Sequence, residues 1–207
     1  LIFGLSSIIF AEHFTGHEQL NISRIVLNFT LSGGNITDTI NLTNSSKAFL
    51  VFSQQQSTVG RKFTGVIVNN TLVTFNRTTE GASINLSYFI AEFDSGITVR
   101  RGNVTVLGGT KTVNIDLITP INLSNSFLLL SMNPQGTTTL RQDNSFFGNF
   151  TNTTNMLLSR EGTTNRIEIN WQIVSFTDNS TVQFGTNNFT DNCTSNGGDN
   201  SFNVTIT

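Results

Sequence analysis

The chain has 207 residues, a formal net charge of −2, and charged side chains at only 12% of its positions. Globular proteins usually carry about a quarter, and so few cations leave no electrostatic footprint for nucleic acid or an anionic membrane surface. We therefore expect no nucleic-acid partner, and solubility that comes from Asn, Thr, Ser and any attached sugar.

The chain opens with an apolar segment, LIFGLSSIIFAEHF. Its apolar run is too short to cross a bilayer as a helix, which needs about twenty residues, so no stable membrane insertion is predicted. As a strand the segment is apolar on both faces, and such a strand must be covered on both sides. Addition to a sheet of a neighbouring subunit would cover it. The predicted donor-strand residues of this arm, which spans residues 1–18, are Leu1, Ile2, Phe3, Leu5, Ile8, Ile9 and Phe10.

Two other interpretations of the arm stay open, a first strand of its own domain and a remnant of a signal peptide or membrane segment. The donor-strand interpretation predicts a head-to-tail contact that does not close, which generates a helical filament. The expected partners are then identical subunits, and through them other cells or surfaces.

The acceptor pattern for N-glycosylation, Asn-x-Ser/Thr, is the most frequent motif of the chain. In ten of the sixteen sequons the middle residue is large and apolar. Because successive side chains of a strand point to opposite faces, Asn and Thr would share the outer face above a buried middle residue. We therefore expect an extracellular glycoprotein whose only attached groups are covalent N-glycans. The sequons lie at Asn21, Asn28, Asn35, Asn41, Asn44, Asn69, Asn76, Asn85, Asn103, Asn122, Asn149, Asn152, Asn179, Asn188, Asn192 and Asn203.

An internal repeat indicates two tandem modules of about 80 residues each. The segment from Arg77 to Gly102 aligns without gaps on the segment from Arg160 to Gly185, an offset of 160 − 77 = 83 residues. Together with Val, Ile, Phe and Thr-rich strands and regularly spaced turn signals, this predicts an all-β fold, an antiparallel β-sandwich built from two repeats. The predicted domains are the arm (1–18), repeat 1 (19–102) and repeat 2 with a C-terminal hairpin (103–207).

The long strand of each repeat alternates between faces. Ile84, Leu86, Tyr88 and Ile90 should line one face in the first copy, and Ile167, Ile169, Trp171 and Ile173 in the second. No linker separates the repeats, because residues 97–107 continue the strand pattern across the boundary. Arg77 and Arg160 precede the long strand in both copies, and we expect each to brace a turn carbonyl rather than to bind an anion.

Residues that could support catalysis or metal binding are few. The spacing of His13 and His17 fits a zinc-binding helix, but Phe14 stands where the metalloprotease motif places its general base. The Asn-rich loop of residues 191–200 lacks the bidentate Glu of a calcium loop. The single cysteine, Cys193, allows no internal disulfide. We therefore predict no metal site and no cofactor.

The carboxylates do not form a convincing glycosidase pair either, since three of the four fall beside turns or on polar strand faces, and solvated charge is expected. No Ser-His-Asp set can be assembled around the two histidines. The sequence is interpreted as that of a protein without catalytic activity. The carboxylates considered are Glu80, Glu92, Glu161 and Glu168.

With its apolar arm (Leu1 to Ala11), its β-rich body and its sequons from Asn21 to Asn203, the chain resembles the subunits of archaeal surface filaments of the thread and bundling-pilus type. That resemblance covers the whole chain loosely and implies a secreted, glycosylated subunit that polymerises by donor-strand complementation and serves adhesion or cell–cell contact. The alternative is a non-polymeric adhesin, a surface-layer protein or a virion glycoprotein that binds glycans.

Overall fold

The computed structural model describes residues 20–29, 34–54, 62–77, 84–135, 145–177 and 182. Apart from two short 3-10 turns (Ser45–Lys47 and Leu123–Asn125), every regular element in these ranges is a strand, which confirms the all-β prediction. The strands are β1 (Leu20–Phe29), β2 (Gly34–Thr39), β3 (Ala48–Gln54), β4 (Thr64–Asn69), β5 (Leu72–Arg77), β6 (Ile84–Phe93), β7 (Ile97–Val106), β8 (Thr112–Asp116), β9 (Ser126–Gln135), β10 (Phe147–Asn152), β11 (Asn155–Ser159) and β12 (Arg166–Phe176).

Four sheets of three antiparallel strands contain all of these strands. Strands β1 to β6 form the sheets β1-β6-β3 and β2-β5-β4, and strands β7 to β12 form β7-β12-β9 and β10-β11-β8. We call the first six strands the first half of the molecule and the other six the second half. Both halves follow the same succession, since the first, sixth and third strands form one sheet and the second, fifth and fourth form the other.

The core of the first half lies between its two sheets. Tyr88 and Leu86 of β6 are fully buried, as predicted for one face of the long strand, and so are Val73 and Phe75 of β5. Each fully buried side chain of this size contributes about 1.5–3 kcal/mol by leaving water. Two sheets that face one another across such a core are consistent with a β-sandwich.

The second half has an equivalent core between its own two sheets. Ile167, Ile169 and Ile173 of β12 are fully buried there against Met156 and Leu158 of β11. Trp171 lies on the same face of β12, is half-buried and packs against the same cluster. The predicted faces are confirmed at the positions whose side chains are described, which are Leu86, Tyr88, Ile90, Ile167, Ile169, Trp171 and Ile173.

Matching glycines occupy the second position of β4 and of β10. A Cβ on Gly65 would lie 2.7 Å from the ring of Phe52 and 2.9 Å from Leu50, and one on Gly148 would lie 2.5 Å from Leu128 and 3.0 Å from Leu130. These neighbours are the third and fifth residues of β3 and of β9. The close approach of the two sheets therefore requires a glycine at the same position in both halves.

A third apolar cluster joins the two halves. Phe49 and Phe93 of the first half are buried in it, together with Ile97, Val99 and Val174 of the second half. The ring of Phe49 stands at 88° to that of Phe127, with the centroids 5.9 Å apart, the edge-to-face geometry that aromatic pairs prefer. Strand β7 runs unbroken through positions 102 and 103, which confirms the predicted continuity of the strand at the junction.

No helix in the described ranges is long and apolar enough to span a membrane.

Candidate glycan-acceptor sites

Four sequons form tight side-chain turns in which the asparagine Oδ1 accepts two hydrogen bonds from the residue two positions on. In Asn69 the donors are the backbone N–H (2.8 Å) and the hydroxyl (3.0 Å) of Thr71. In Asn152 they are the same two groups of Thr154, at 2.8 and 3.0 Å. Both turns connect antiparallel strands, β4 to β5 and β10 to β11.

The other two turn sequons begin the 3-10 turns. Asn44 Oδ1 accepts from the backbone N–H (3.0 Å) and hydroxyl (2.7 Å) of Ser46, and Asn122 Oδ1 accepts from the same groups of Ser124 at 3.1 and 2.8 Å. Asn side chains favour such turns because they satisfy the backbone donors at the start of the turn. These asparagines were predicted as sequons but not as turn formers, although Ser or Thr two positions after Asn is also typical of this turn.

The turn geometry matters for the acceptor chemistry because a glycan is attached to the amide nitrogen, Nδ2. All four asparagines are exposed, and their hydrogen bonds use the oxygen alone. Replacing one hydrogen of Nδ2 by a sugar would therefore preserve every bond that holds the turn.

Turn sequons of one half lie close together at the same end of that half. The backbone N–H of Ser45 donates to Asn70 Oδ1 at 2.8 Å, and Asn70 Nδ2 donates to the carbonyl of Thr43 at 3.1 Å. These bonds connect the loop that carries Asn41 and Asn44 to the turn that carries Asn69. In the second half Ile121 N–H donates to the carbonyl of Thr153 at 2.8 Å, next to Asn122 and Asn152.

The strand sequons follow the predicted alternation where their side chains are described. In the sequons that start at Asn35, Asn103 and Asn149, the asparagine and the threonine are exposed and the middle residue is half-buried. Ile36 and Phe150, two of these middle residues, pack against the cores of their halves. The sequon of Asn41 has the same exposure pattern in a loop, with Leu42 buried.

Asn76 differs from the other described acceptors. It is half-buried, and its Nδ2 donates to Glu168 Oε2 of the second half at 3.4 Å. It also lies directly opposite Asn35 in the β2–β5 ladder, so these two sequons compete for the same space. Asn28 and Asn85 are opposite one another in the β1–β6 ladder in the same way.

Several predicted positions lie outside the described residues. They include the arm residues Leu1, Ile2, Phe3, Leu5, Ile8, Ile9 and Phe10, both histidines, and the sequons at Asn179, Asn188, Asn192 and Asn203. Asn21 lies in β1.

Arg160 has the bracing role that the sequence predicted. Arg160 is 6% exposed, and its guanidinium donates to the carbonyls of Thr110 (2.9 Å), Asn165 (2.7 Å) and Leu107 (3.0 Å). It also lies over the ring of Phe146, 5.1 Å from the centroid. Arg77 is 2% exposed and lies over Phe63, 5.6 Å from that centroid.

The expectation of solvated carboxylates was wrong for Glu92. This residue is 5% exposed, and its Oε1 accepts the backbone N–H of Asn44 at 2.7 Å. Because a buried polar side chain needs a hydrogen-bond partner, this bond both satisfies Glu92 and attaches it to the loop that carries Asn44. In the described ranges no three His, Cys, Asp or Glu side chains come together in a way that could hold a metal ion.

The comparisons with known proteins returned no match to a family model, to a curated protein or to a solved structure.

Proposed function

We propose that the chain is a structural subunit of an extracellular, N-glycosylated filament, built from two tandem copies of one six-strand module. The identical strand succession of the two halves supports the module interpretation. So do the matching glycines Gly65 and Gly148 and the matching arginine–phenylalanine pairs at Arg77 and Arg160. These matched packing roles support the repeat that the sequence indicates.

An extracellular, sugar-bearing surface is supported by the geometry of the acceptors. The four turn sequons present Nδ2 at exposed positions, and the strand sequons place asparagine outward above a core-facing residue. With few charges on the chain, attached glycans would supply the hydration that charged side chains usually provide.

Polymerisation rests on one observation, the apolar arm from Leu1 to Phe10 in a chain whose described sheets have only three strands each. A three-stranded sheet has two edges with unpaired backbone groups, to which another strand can add. We propose that the arm adds to such an edge of the next copy, with Leu1, Phe3, Leu5 and Ile9 on one face and Ile2, Ile8 and Phe10 on the other. The likeness to archaeal thread and bundling-pilus subunits agrees with this assembly, and adhesion or cell–cell contact is its proposed use.

A second candidate function is that of a non-polymeric surface glycoprotein. It is favoured by the cores of both halves, which are filled by their own side chains with Phe75, Tyr88, Met156 and Ile169 fully buried. Donor-strand assembly of the groove-filling kind would leave a core incomplete until the donor arrives. In this molecule the arm would have to extend a sheet edge instead.

Deletion of residues 1–11 tests the filament proposal. The full chain and the truncated chain are compared by electron microscopy and by sedimentation velocity over a range of concentrations, with far-UV circular dichroism as the folding control. The proposal predicts filaments from the full chain and folded, unassembled material from the truncated one. Equal assembly states for both chains would contradict it and favour the second candidate.

A further inference from the structure

Phe147 carries the one exposed aromatic ring among the side chains that the structure describes. It begins β10, an edge strand of the sheet β10-β11-β8, and is 63% exposed. The other exposed large apolar side chains are aliphatic, namely Val68, Leu107 and Ile118. A single exposed apolar residue is common on protein surfaces, so the exposure of Phe147 acquires meaning only from what lies beside it.

The neighbour of Phe147 on the same face of β10 is the candidate glycan acceptor Asn149. Phe147, Asn149 and Thr151 are exposed. Gly148 and Phe150, which alternate with them, are half-buried. Residues two positions apart on a strand lie about 7 Å from one another and point to the same side. The sequon of Asn149 therefore presents its acceptor amide one side-chain position away from the ring.

The surface around the Asn149 amide is partly apolar. Across the β10–β11 ladder Asn149 lies directly opposite Leu157, which is half-buried. Met156 and Leu158, on either side of Leu157 in the strand, are fully buried in the core, so Leu157 lies on the outer face with Asn149. A sugar on the Nδ2 atom of Asn149 would thus meet the ring of Phe147 along its own strand and the side chain of Leu157 across it.

The matching strand of the first half lacks both the ring and the acceptor. Strand β4 reads TGVIVN where β10 reads FGNFTN, with the required glycine in the second position of each. Val66 takes the place of Asn149, and Thr64, which is 3% exposed, takes the place of Phe147. The aromatic ring and the acceptor therefore occur together in one half and are absent together from the other.

The other sequons do not offer this pairing. Of the sixteen, only Asn149 and Asn152 have an aromatic residue two positions before the acceptor. The residue before Asn152 is Phe150, whose ring packs against the core of the second half rather than lying on the outer face. The strand sequon of Asn103 has Arg101 at this position. Among the described sequons, an exposed ring beside the acceptor is found at Asn149 alone.

An aromatic ring and a pyranose sugar have complementary surfaces. The face of the ring is the negative side of its quadrupole, and the C–H groups of a pyranose are partially positive because their carbons are bonded to oxygen. Contact between them removes apolar surface from water while the sugar hydroxyls stay solvated. We propose that Phe147 binds the first sugar of a glycan attached to Asn149, and that this contact stabilises the edge strand β10. The inference rests on the N-glycosylation in the proposed function and is independent of filament assembly.

A double-mutant cycle tests the contact in protein made by a eukaryotic host, which attaches N-glycans through N-acetylglucosamine. Phe147→Thr introduces the residue that β4 has at this position, and Asn149→Gln removes the acceptor. Phe147→Thr should raise the equilibrium constant for unfolding by about two- to tenfold more in the glycosylated chain than in the Asn149→Gln background, the range of one aromatic contact. Equal effects in the two backgrounds, with Asn149 shown to be occupied by glycopeptide mass spectrometry, would overturn the inference.

Matched controls assign the effect to this ring and this sugar. In an Asn103→Gln background, which removes a strand sequon without an aromatic neighbour, Phe147→Thr should cost as much stability as in the unchanged chain. Phe147→Tyr should keep the coupling because it keeps the ring. Proton NMR of the chain trimmed to one sugar per site gives a direct measurement, since the ring current of Phe147 should shift the C–H resonances of the sugar on Asn149 upfield. Resonances that are the same in the unchanged chain and in Phe147→Thr would also overturn the inference.

The outcomes also distinguish this inference from the proposed function. Sugar on Asn149 without coupling to Phe147 would refute the contact and leave the glycoprotein proposal standing. An unmodified Asn149 in a chain whose turn sequons are occupied would likewise refute the contact alone. A chain without sugar at any sequon would contradict the contact and the glycoprotein proposal together. Filament assembly is tested separately by the deletion of residues 1–11.

Discussion

The side-chain amide of Gln172 pairs with the backbone of Leu50 as a neighbouring strand would, with one hydrogen bond of 2.8 Å to the carbonyl and one of 3.0 Å from the N–H. Both residues are buried, and they are 122 positions apart in the chain. This pair places one half of the molecule against the other with a defined register.

Replacing Gln172 by Leu tests how much this pair stabilises the molecule. Leu keeps the apolar volume but leaves the N–H and the carbonyl of Leu50 buried without partners, at about 1–3 kcal/mol for each unsatisfied group. We expect a loss of about 2–4 kcal/mol in the free energy of unfolding by urea. Gln135→Leu is the control, since that amide donates to the side chain of Glu168 at 3.1 Å rather than to a backbone group. Equal effects of the two substitutions would contradict the role of the pair.

The three-carbonyl contact of Arg160 predicts a large effect of removing its charge. Arg160→Met leaves the carbonyls of Thr110, Leu107 and Asn165 without their donor, and we expect a loss of about 3–5 kcal/mol. Arg160→Lys should recover less than half of the unfolding free energy that Arg160→Met loses, because one ammonium group cannot reach all three oxygens. Chemical denaturation measures both, with exposed Arg166→Met as the control. A loss below 1 kcal/mol for Arg160→Met would refute the bracing role.

Gly102 is required by the ring of Trp171, its partner across the β7–β12 ladder. A Cβ at position 102 would lie 2.2 Å from the indole ring, so Gly102→Ala should cost about 1–3 kcal/mol through overpacking. In a Trp171→Leu background the same substitution should cost much less, because the obstructing ring is gone. Thermal unfolding of the unchanged chain, the two single variants and the double variant gives the coupling free energy between positions 102 and 171. Additive effects would show that the glycine is needed for another reason.

The stability of the molecule should fall at alkaline pH because of Tyr88. Burial, followed by the hydrogen bond to Asp38 (2.8 Å) and the charge of that carboxylate, raises the pKa of this phenol above its usual 10.0. The unfolded chain then loses the phenolic proton near pH 10 while the folded chain keeps it. The contribution of Tyr88 to the free energy of unfolding is therefore present below pH 10 and is lost as the pH rises above it.

The measurement is the difference in unfolding free energy between the unchanged chain and Tyr88→Phe from pH 8 to pH 11. This difference should shrink as the pH rises above 10. Burial lowers the pKa of Arg101 to about 10, so Arg101 also titrates in this range, but its effect is the same in both chains and cancels in the difference. A difference that stays constant with pH would show that Tyr88 does not titrate with the expected shift.

The geometry of the sequons predicts unequal glycan occupancy. Asn44, Asn69, Asn122 and Asn152 should be the most fully occupied, because their turns leave Nδ2 exposed. Asn76 should be the least occupied, because its amide contacts Glu168 and it opposes Asn35 across the ladder. Glycopeptide mass spectrometry of the protein expressed in a glycosylating host measures both groups. High occupancy at Asn76 together with empty turn sequons would contradict this ordering.

Sequence patterns predicted the parts of the fold that depend on local periodicity. The faces of β6 and β12 follow from strict alternation, and Ile90 and Ile173 lie in the cores for that reason. The continuity of β7 followed from its unbroken strand pattern.

What the sequence did not reveal depends on contacts between distant segments. Gln172 and Glu92 look like ordinary polar positions of a strand, and only the packing of another element buries them. The alternation of the sequons, by contrast, was predictable because each motif spans one strand repeat.

Electron microscopy of the purified 207-residue chain over a range of concentrations, compared with the chain lacking residues 1–11, tests the central claim most directly. The proposed function predicts unbranched filaments with a regular subunit repeat from the full chain, and folded single particles from the truncated chain. Single particles from both chains at every concentration would contradict a filament subunit and leave a monomeric β-protein.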